Sequence, residues 1–145
     1  MVETWVGRVD RPYRFLSPFH RGEFALLLVV GDVDITPDEQ RALSEEVVRQ
    51  GCRYAVCVGH ECSTWDDSID MVGVVDELEG RAAPLVMTTW HEHESLDDVV
   101  DFFADVTEIA NLPPERFAVL IVGGPAQLEK DVRRATERRF LVKSA

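Results

Sequence analysis

The sequence lacks the features of a membrane or secreted protein. No apolar stretch approaches the roughly 20 residues that a membrane-spanning helix needs. The longest uninterrupted one, FALLLVV at 24–30, has seven residues. The first residues, MVETW, do not show the basic and then apolar composition of a signal peptide. We therefore expect a cytoplasmic protein that does not bind a membrane.

Cysteine is scarce, and its number is odd. Cys52, Cys57 and Cys62 are the only three, whereas a small secreted domain held together by disulfides carries a dense, paired framework. Cys57 lies inside an apolar run, where a thiol packs as a small hydrophobic group. The cysteines therefore agree with an intracellular protein without structural disulfides.

The common sequence motifs of nucleotide-binding proteins and of zinc-dependent hydrolases are also missing. The chain contains no G-x-G-x-x-G, no Walker A sequence and no HExxH. Gly123-Gly124-Pro125 comes before a predicted helix and could bind an anion through backbone N–H groups, but glycine and proline are ordinary turn residues as well. We predict no dinucleotide or nucleoside-triphosphate cofactor.

Acidic residues dominate the middle of the chain. The formal charge is −12, and residues 31–115 contain 21 of the 27 acidic residues but only four arginines, a balance of −17. Residues 116–145 contain seven basic and three acidic residues, a balance of +4. An acidic centre repels phosphate backbones, which argues against nucleic-acid binding and favours a cation or a basic protein surface.

Apolar runs alternate with helical patterns four times. The predicted strands cover 24–30, 54–58, 84–90 and 116–122. Each is followed by a short polar loop and a helix start, such as Thr36-Pro37-Asp38-Glu39 with its capping box. This alternation predicts a single three-layer α/β/α domain with a mainly parallel sheet of four or five strands, of Rossmann-like or flavodoxin-like type.

The predicted domain spans 1–145, with an N-terminal arm at 1–22 and βα repeats at 23–145. Residues 4–9 could form an edge strand, and 140–142 a last short strand. Pro12 and Pro18 interrupt any regular element between them. The aromatic and apolar residues of the arm are typical of a segment that covers the edge of a sheet.

Polar side chains follow the predicted strands at the carboxyl edge of the sheet, where such folds bind ligands. If the four strands have the order 2-1-3-4, the loops GDVDIT and WHEHES face each other and GHECST lies beside them. Imidazole and carboxylate groups are ligands for zinc and similar ions. The candidate ligands of a divalent metal are Asp32, Asp34, His60, His91 and His93.

Cys62 is a candidate nucleophile, with His91 as its base. The cysteine precedes a predicted helix, and a helix N-terminus lowers the pKa of a thiol. A nearby histidine could then activate it, as in Cys–His sites. The surrounding acidic residues oppose this effect.

The sequence Asp32-Val33-Asp34-Ile35-Thr36 after an apolar strand resembles the DxDx[TV] motif of haloacid dehalogenase-like phosphohydrolases. The resemblance implies that Asp32 is a nucleophile and that Asp34 handles the proton of the leaving group. The fourth predicted strand ends in Gly123-Gly124, where that family has an acidic pair that holds magnesium.

The acids after the first predicted strand are also similar to those of response-regulator receivers. In that family the third strand ends in the phosphorylated aspartate. Here it ends in Trp90-His91.

An acidic helix face provides the last candidate site. Asp97, Asp101, Asp105 and Glu108 line one side of the predicted helix after the third strand, and the helix before it is also rich in acids. With the order 2-1-3-4, both helices would cover one face of the sheet. The first hypothesis is a small binding or regulatory domain that uses this face to recognise a basic protein or another copy of itself. The alternative is a metal-binding or Cys–His hydrolase-like enzyme.

Overall fold

The computed structural model describes residues 2–20, 22–110 and 116–142, with the backbone alone for 107–110. These residues form β1 (Glu3–Val9), β2 (Phe24–Val30), α1 (Pro37–Arg49), β3 (Cys52–Gly59), α2 (Cys62–Leu78), β4 (Met87–His91), α3 (Leu96–Ala110), β5 (Arg116–Val122) and α4 (Ala126–Arg139).

The five strands form one sheet in which every pair is parallel. The predicted α/β fold with a parallel sheet is therefore confirmed. The fifth strand is β1, from the segment that we predicted as an arm or edge strand, and it pairs with β5 from Glu3 opposite Arg116 to Val9 opposite Val122. Residues 140–142, by contrast, form no strand.

The order of the strands is β1-β5-β2-β3-β4. The order 2-1-3-4 that we assumed for the four predicted strands is therefore wrong. It would place β4 next to β2, whereas β3 lies between them and β5 occupies the other side of β2. The burial of the strands explains this arrangement. Six of the seven residues of β5 are buried, which suits the interior of a sheet, whereas only His91 of β4 is buried.

The helices cover the two faces of the sheet in sequential pairs. Leu43 and Val47 of α1 pack in one core cluster with Trp65 and Ile69 of α2. Val99 and Phe103 of α3 and Val132 of α4 pack in a second cluster, on the opposite face. The expectation that α2 and α3 share a face is therefore wrong, because it depended on the assumed strand order.

Helix α1 begins as its sequence predicts. The side chain of Thr36 accepts the N–H of Glu39, and the Glu39 carboxylate accepts the N–H of Thr36, which completes the capping box. Pro37 occupies the first turn, where its missing N–H costs no hydrogen bond. The cap fixes the direction in which the chain leaves β2, and thereby positions the loop between them.

The segment after β1 packs in the same core cluster as α1 and α2, against the sheet. Tyr13, Phe15 and Phe19 are buried in this cluster. The ring of Phe15 lies 6.1 Å from that of Trp5 and 5.9 Å from that of Phe24. Leu16 of the same segment is 84% exposed, so these three aromatic residues of the predicted arm are buried and this leucine is not.

Candidate functional site

The carboxyl edge of the sheet carries five loops in the order of their strands. GHECST follows β3 and therefore lies between GDVDIT, after β2, and WHEHES, after β4. The expected contact of GDVDIT with WHEHES is wrong. From β2 the chain adds β3 and then β4 on one side of the sheet, and it then crosses back to place β5 on the other side of β2. The topological switch point therefore lies between β2 and β5. The loop that meets GDVDIT there is Gly123-Gly124-Pro125.

Asp32 is the centre of the switch point. Its carboxylate accepts the N–H of Gly124 at 2.8 Å and the hydroxyl hydrogen of Tyr13. A Cβ atom at Gly123 would lie 2.0 Å from the Asp32 carboxyl group, so this loop position requires glycine. The hydrogen bond from Tyr13, followed by that from Gly124, lowers the pKa of Asp32. The aspartate therefore stays ionised and joins three loops.

Arg11 neutralises the acids beside this cluster. Its Nε donates to Glu39 at 2.7 Å, and its Nη2 donates to the Asp34 carbonyl at 3.1 Å. The hydrogen bond from Arg11, with help from the Thr36 backbone, lowers the pKa of Glu39 to about 2. Arg8 donates to the carbonyl of Gly124 at 2.8 Å. Sequence reasoning missed Arg8, Arg11 and Tyr13, because the contact depends on β1 reaching the edge beside β5.

This arrangement does not fit the chemistry of haloacid dehalogenase-like enzymes. The loop after β5 contributes a backbone N–H to Asp32, and no acidic pair that would hold magnesium beside it. Asp34 is engaged by Arg11. The backbone of Gly123-Gly124, which could have bound an external anion, binds the carboxylate of Asp32 instead. In the described residues the switch point is an internal hydrogen-bonded junction.

His91 lies at the end of β4 with both ring nitrogens occupied. Nδ1 is 2.8 Å from a carboxylate oxygen of Glu94, and Nε2 is 3.0 Å from the hydroxyl of Thr89. The ring is 9% exposed and lies 4.6 Å from the ring of Phe102, centroid to centroid. A fixed and largely buried imidazole of this kind orients the end of β4.

Cys62 contacts His91, but through the main chain. Its thiol donates to the carbonyl oxygen of His91 at 3.6 Å, while the imidazole nitrogens face Glu94 and Thr89. Cys62 is 1% exposed, and burial raises the pKa of its thiol. The described geometry therefore favours a protonated, enclosed thiol over an activated nucleophile.

The predicted metal ligands are separated along the edge. Asp32 contacts Tyr13, Asp34 contacts Arg11, and Nε2 of His60 lies 4.0 Å from Glu61. His93 adopts a positive φ of 60° in the loop after β4. Within residues 2–20, 22–110 and 116–142, no group of three or more His, Cys, Asp or Glu side chains could hold a metal ion. The structure gives the predicted metal site no support.

Three acidic residues of α3 are paired within the chain. Arg138 of α4 contacts Asp97 at 3.2 Å and Asp101 at 2.8 Å, and Arg139 contacts Asp105 at 3.0 Å. Helix α4 thus supplies, within the same molecule, the basic side chains that we expected from a partner. The side chain of Glu108 lies outside the described part of the chain.

A second surface combines acidic and apolar side chains. In the described residues 11 large hydrophobic side chains are exposed, and seven of them lie on α2, on β4 or on the segment between the two elements. We call six of them the α2–β4 surface: Met71, Val74, Val75, Leu78, Leu85 and Trp90. The seventh, Met87, lies opposite Tyr54 and therefore on the other face of the sheet.

Val75 and Leu78 continue the helical spacing of Trp65, Ile69 and Val72 on α2. They are 38% and 82% exposed, however, while Trp65, Ile69 and Val72 are buried. Acidic residues accompany the exposed apolar ones along the helix: Asp67, Asp70, Glu77 and Glu79. The signal that sequence reasoning missed is that α2 has more apolar residues than one buried stripe can use.

Comparisons with known proteins give a family without an assigned activity. No helix in the described residues has the length and apolar character to cross a membrane. No curated protein matches the sequence. Residues 8–139 match a family described as "Domain of unknown function (DUF7684)". This match includes every helix and strand except most of β1, so the chain belongs to the DUF7684 family.

Proposed function

We propose that this protein is a binding domain without chemistry of its own, which recognises a basic and partly apolar segment of another protein through the α2–β4 surface. The observation that carries the proposal is the concentration of exposed apolar side chains there. Exposed apolar side chains gathered on one part of a small protein commonly mark an interaction site.

The surface has a depth that a partner side chain could fill. Val74 and Leu85 line a hollow between α2 and the segment before β4, with Asp70 and Glu77 at its border. The hollow has a volume of about 450 Å³. Apolar contacts would supply most of the affinity, and the acids would select a basic partner and accelerate its association.

Charge favours α2 over α3 as the recognition helix. Asp101 and Asp105 have arginine partners in α4, so a basic ligand would have to compete with them. Asp67, Asp70 and Glu77 form no ion pair with the described residues. These three carboxylates remain open to an external base. We therefore place the recognition of a basic partner on the acidic residues of α2 and not on those of α3.

The proposal can be tested with a fluorescently labelled peptide of alternating arginine and valine, measured by anisotropy at low and high salt. We expect binding that weakens steeply with salt, and none for a peptide of alternating glutamate and valine. Glu77→Lys and Trp90→Ala should each weaken binding by about tenfold, equivalent to 1.4 kcal/mol.

Two matched variants locate the surface. Leu16→Ala removes an exposed apolar side chain from the N-terminal segment, and should leave binding unchanged. Asp105→Lys reverses a charge on α3, and should also leave it unchanged. Loss of binding in Asp105→Lys together with full binding in Glu77→Lys would transfer recognition to α3 and overturn the proposal.

A further inference from the structure

The outer edge of β4 has a free strand-pairing face. Within the described residues, β4 pairs with β3 alone, from Met87 opposite Tyr54 to His91 opposite Val58. In a strand at the edge of a sheet, alternate backbone N–H and C=O groups point away from the neighbouring strand.

The opposite edge of the sheet is protected. β1 carries Glu3 and Arg8, and charged residues on an edge strand discourage pairing with another chain. The Trp5 ring lies across Gly7, so close that a Cβ atom there would be 2.2 Å from the ring. Thr4 and Val6 are buried beneath the strand. β1 therefore ends the sheet.

β4 has none of these protections. Its sequence, MTTWH, contains no acidic or basic residue other than the enclosed His91, no proline and no glycine. Threonine and tryptophan favour the extended conformation. Met87 is 47% exposed and Trp90 53%, and because their separation is odd they lie on opposite faces of the sheet. A strand placed beside β4 would find an apolar contact on each face.

From these observations we propose that the partner segment binds in extended form, as a sixth strand hydrogen-bonded to the outer edge of β4. This inference rests on the proposed function and specifies how the partner is held. Main-chain hydrogen bonds would supply affinity with little dependence on sequence, and alternate side chains would contact Trp90 and Met87.

The charge of the surroundings selects the occupant. Asp70 accepts a hydrogen bond from Thr88 of β4 at 3.0 Å, so a carboxylate lies directly beside the strand. Glu92 and Glu94 follow β4 immediately and are exposed. A second copy of this chain, with its net charge of −12, would bring like charges together, whereas a basic strand would bring opposite ones.

Amide hydrogen exchange, measured by NMR, tests this mode directly. The arginine–valine peptide should slow exchange by about tenfold or more at alternate residues of 87–91, because only the outward N–H groups gain a new acceptor. A control peptide in which proline replaces valine keeps the charge but loses half of its N–H groups and cannot continue a strand. It should bind much more weakly and protect none of these amides.

The outcomes separate the inference from the function on which it rests. Binding of the arginine–valine peptide without new protection in β4, or equal binding of the proline peptide, would overturn strand addition and leave the recognition surface intact. No binding at low salt would overturn both. Sedimentation should show a monomer. A dimer whose β4 amides are protected without peptide would assign the edge to a second copy and overturn the inference.

Discussion

The acidic residues of α3 and those of α2 differ in whether they form ion pairs within the chain. In the α3–α4 layer, Asp101 contacts both Arg138 and Arg139, at 2.8 and 3.5 Å, so the acids of one helix are matched by the bases of its neighbour. On α2, the buried Asp76 is paired with Arg49 and Arg81, whereas Asp67, Asp70 and Glu77 form no ion pair with the described residues. Density of charge in the sequence is therefore a poor guide to which acidic residues lack an ion-pair partner in the fold.

The same contrast applies to apolar residues. Phe103 of α3 is completely buried and packs against Phe117 and Phe140 at ring distances of 5.3 and 6.0 Å. Leu78 of α2 is 82% exposed. The paired acids and the buried ring of α3 therefore find their partners within the chain, whereas the outer side of α2 carries unpaired carboxylates and exposed apolar side chains.

The largest change in the free energy of unfolding should come from the buried face of α3. Phe103→Ala should reduce the free energy of unfolding by about 3 to 5 kcal/mol, because it leaves a cavity among fully buried rings. Leu78→Ala should change it by less than about 0.5 kcal/mol, since the leucine is mostly in water. Urea denaturation measures both. A large loss in Leu78→Ala would show that the α2 surface is covered within the chain.

A smaller effect, which depends on pH, concerns Asp76. Its carboxylate is 1% exposed and accepts from Arg49 at 2.6 and 2.7 Å and from Arg81 at 3.0 Å. The hydrogen bonds from Arg49, together with those from Arg81, lower the pKa of Asp76 from 3.8 to about 2. A lowered pKa in the folded state stabilises the protein above the unfolded value, and this contribution disappears as the pH falls from about 4 to about 2.

Asp76→Asn should accordingly be less stable than the wild type at pH 7, by a difference that shrinks as the pH falls from about 4 to about 2. Denaturant titrations of both proteins across this range provide the measurement. Asp67→Asn is the matched control on the exposed side of α2, and should differ little from the wild type at any pH. A gap between wild type and Asp76→Asn that stays constant down to pH 2 would contradict the role of this carboxylate.

The smallest effect is expected when single acidic residues of α3 and α2 are neutralised and the thermal midpoints are compared. Asp101→Asn should lower the thermal midpoint slightly at low salt, because it removes the shared acceptor of Arg138 and Arg139, and the loss should vanish at high salt. Asp67→Asn should leave the midpoint unchanged or raise it, since it removes a carboxylate from an already acidic helix. Calorimetry at two salt concentrations would show the difference. A lower thermal midpoint for Asp67→Asn than for Asp101→Asn at low salt would refute the contrast between α2 and α3.

Sequence reasoning recovered the local part of the structure. The capping box at Thr36 and the buried run at 24–30 involve neighbouring residues, and their chemistry fixes a helix start and a central strand. The strand order depends on where each crossover returns to the sheet, which local patterns do not encode. The pairing of α3 with α4 and the exposure of β4 both follow from that order, so neither could be predicted.

The position of β5 has a consequence for synthesis on the ribosome. β5 lies between β1 and β2, the first two strands made, and pairs with both. Residues 3–9 must therefore wait for residues 116–122 before they acquire any strand neighbour. Until then β2, whose seven residues are all apolar, is an edge strand, as β4 is in the finished molecule. The nascent chain is thus most exposed to wrong pairing at β2, the central strand of the finished sheet, until the last quarter of the chain completes the sheet.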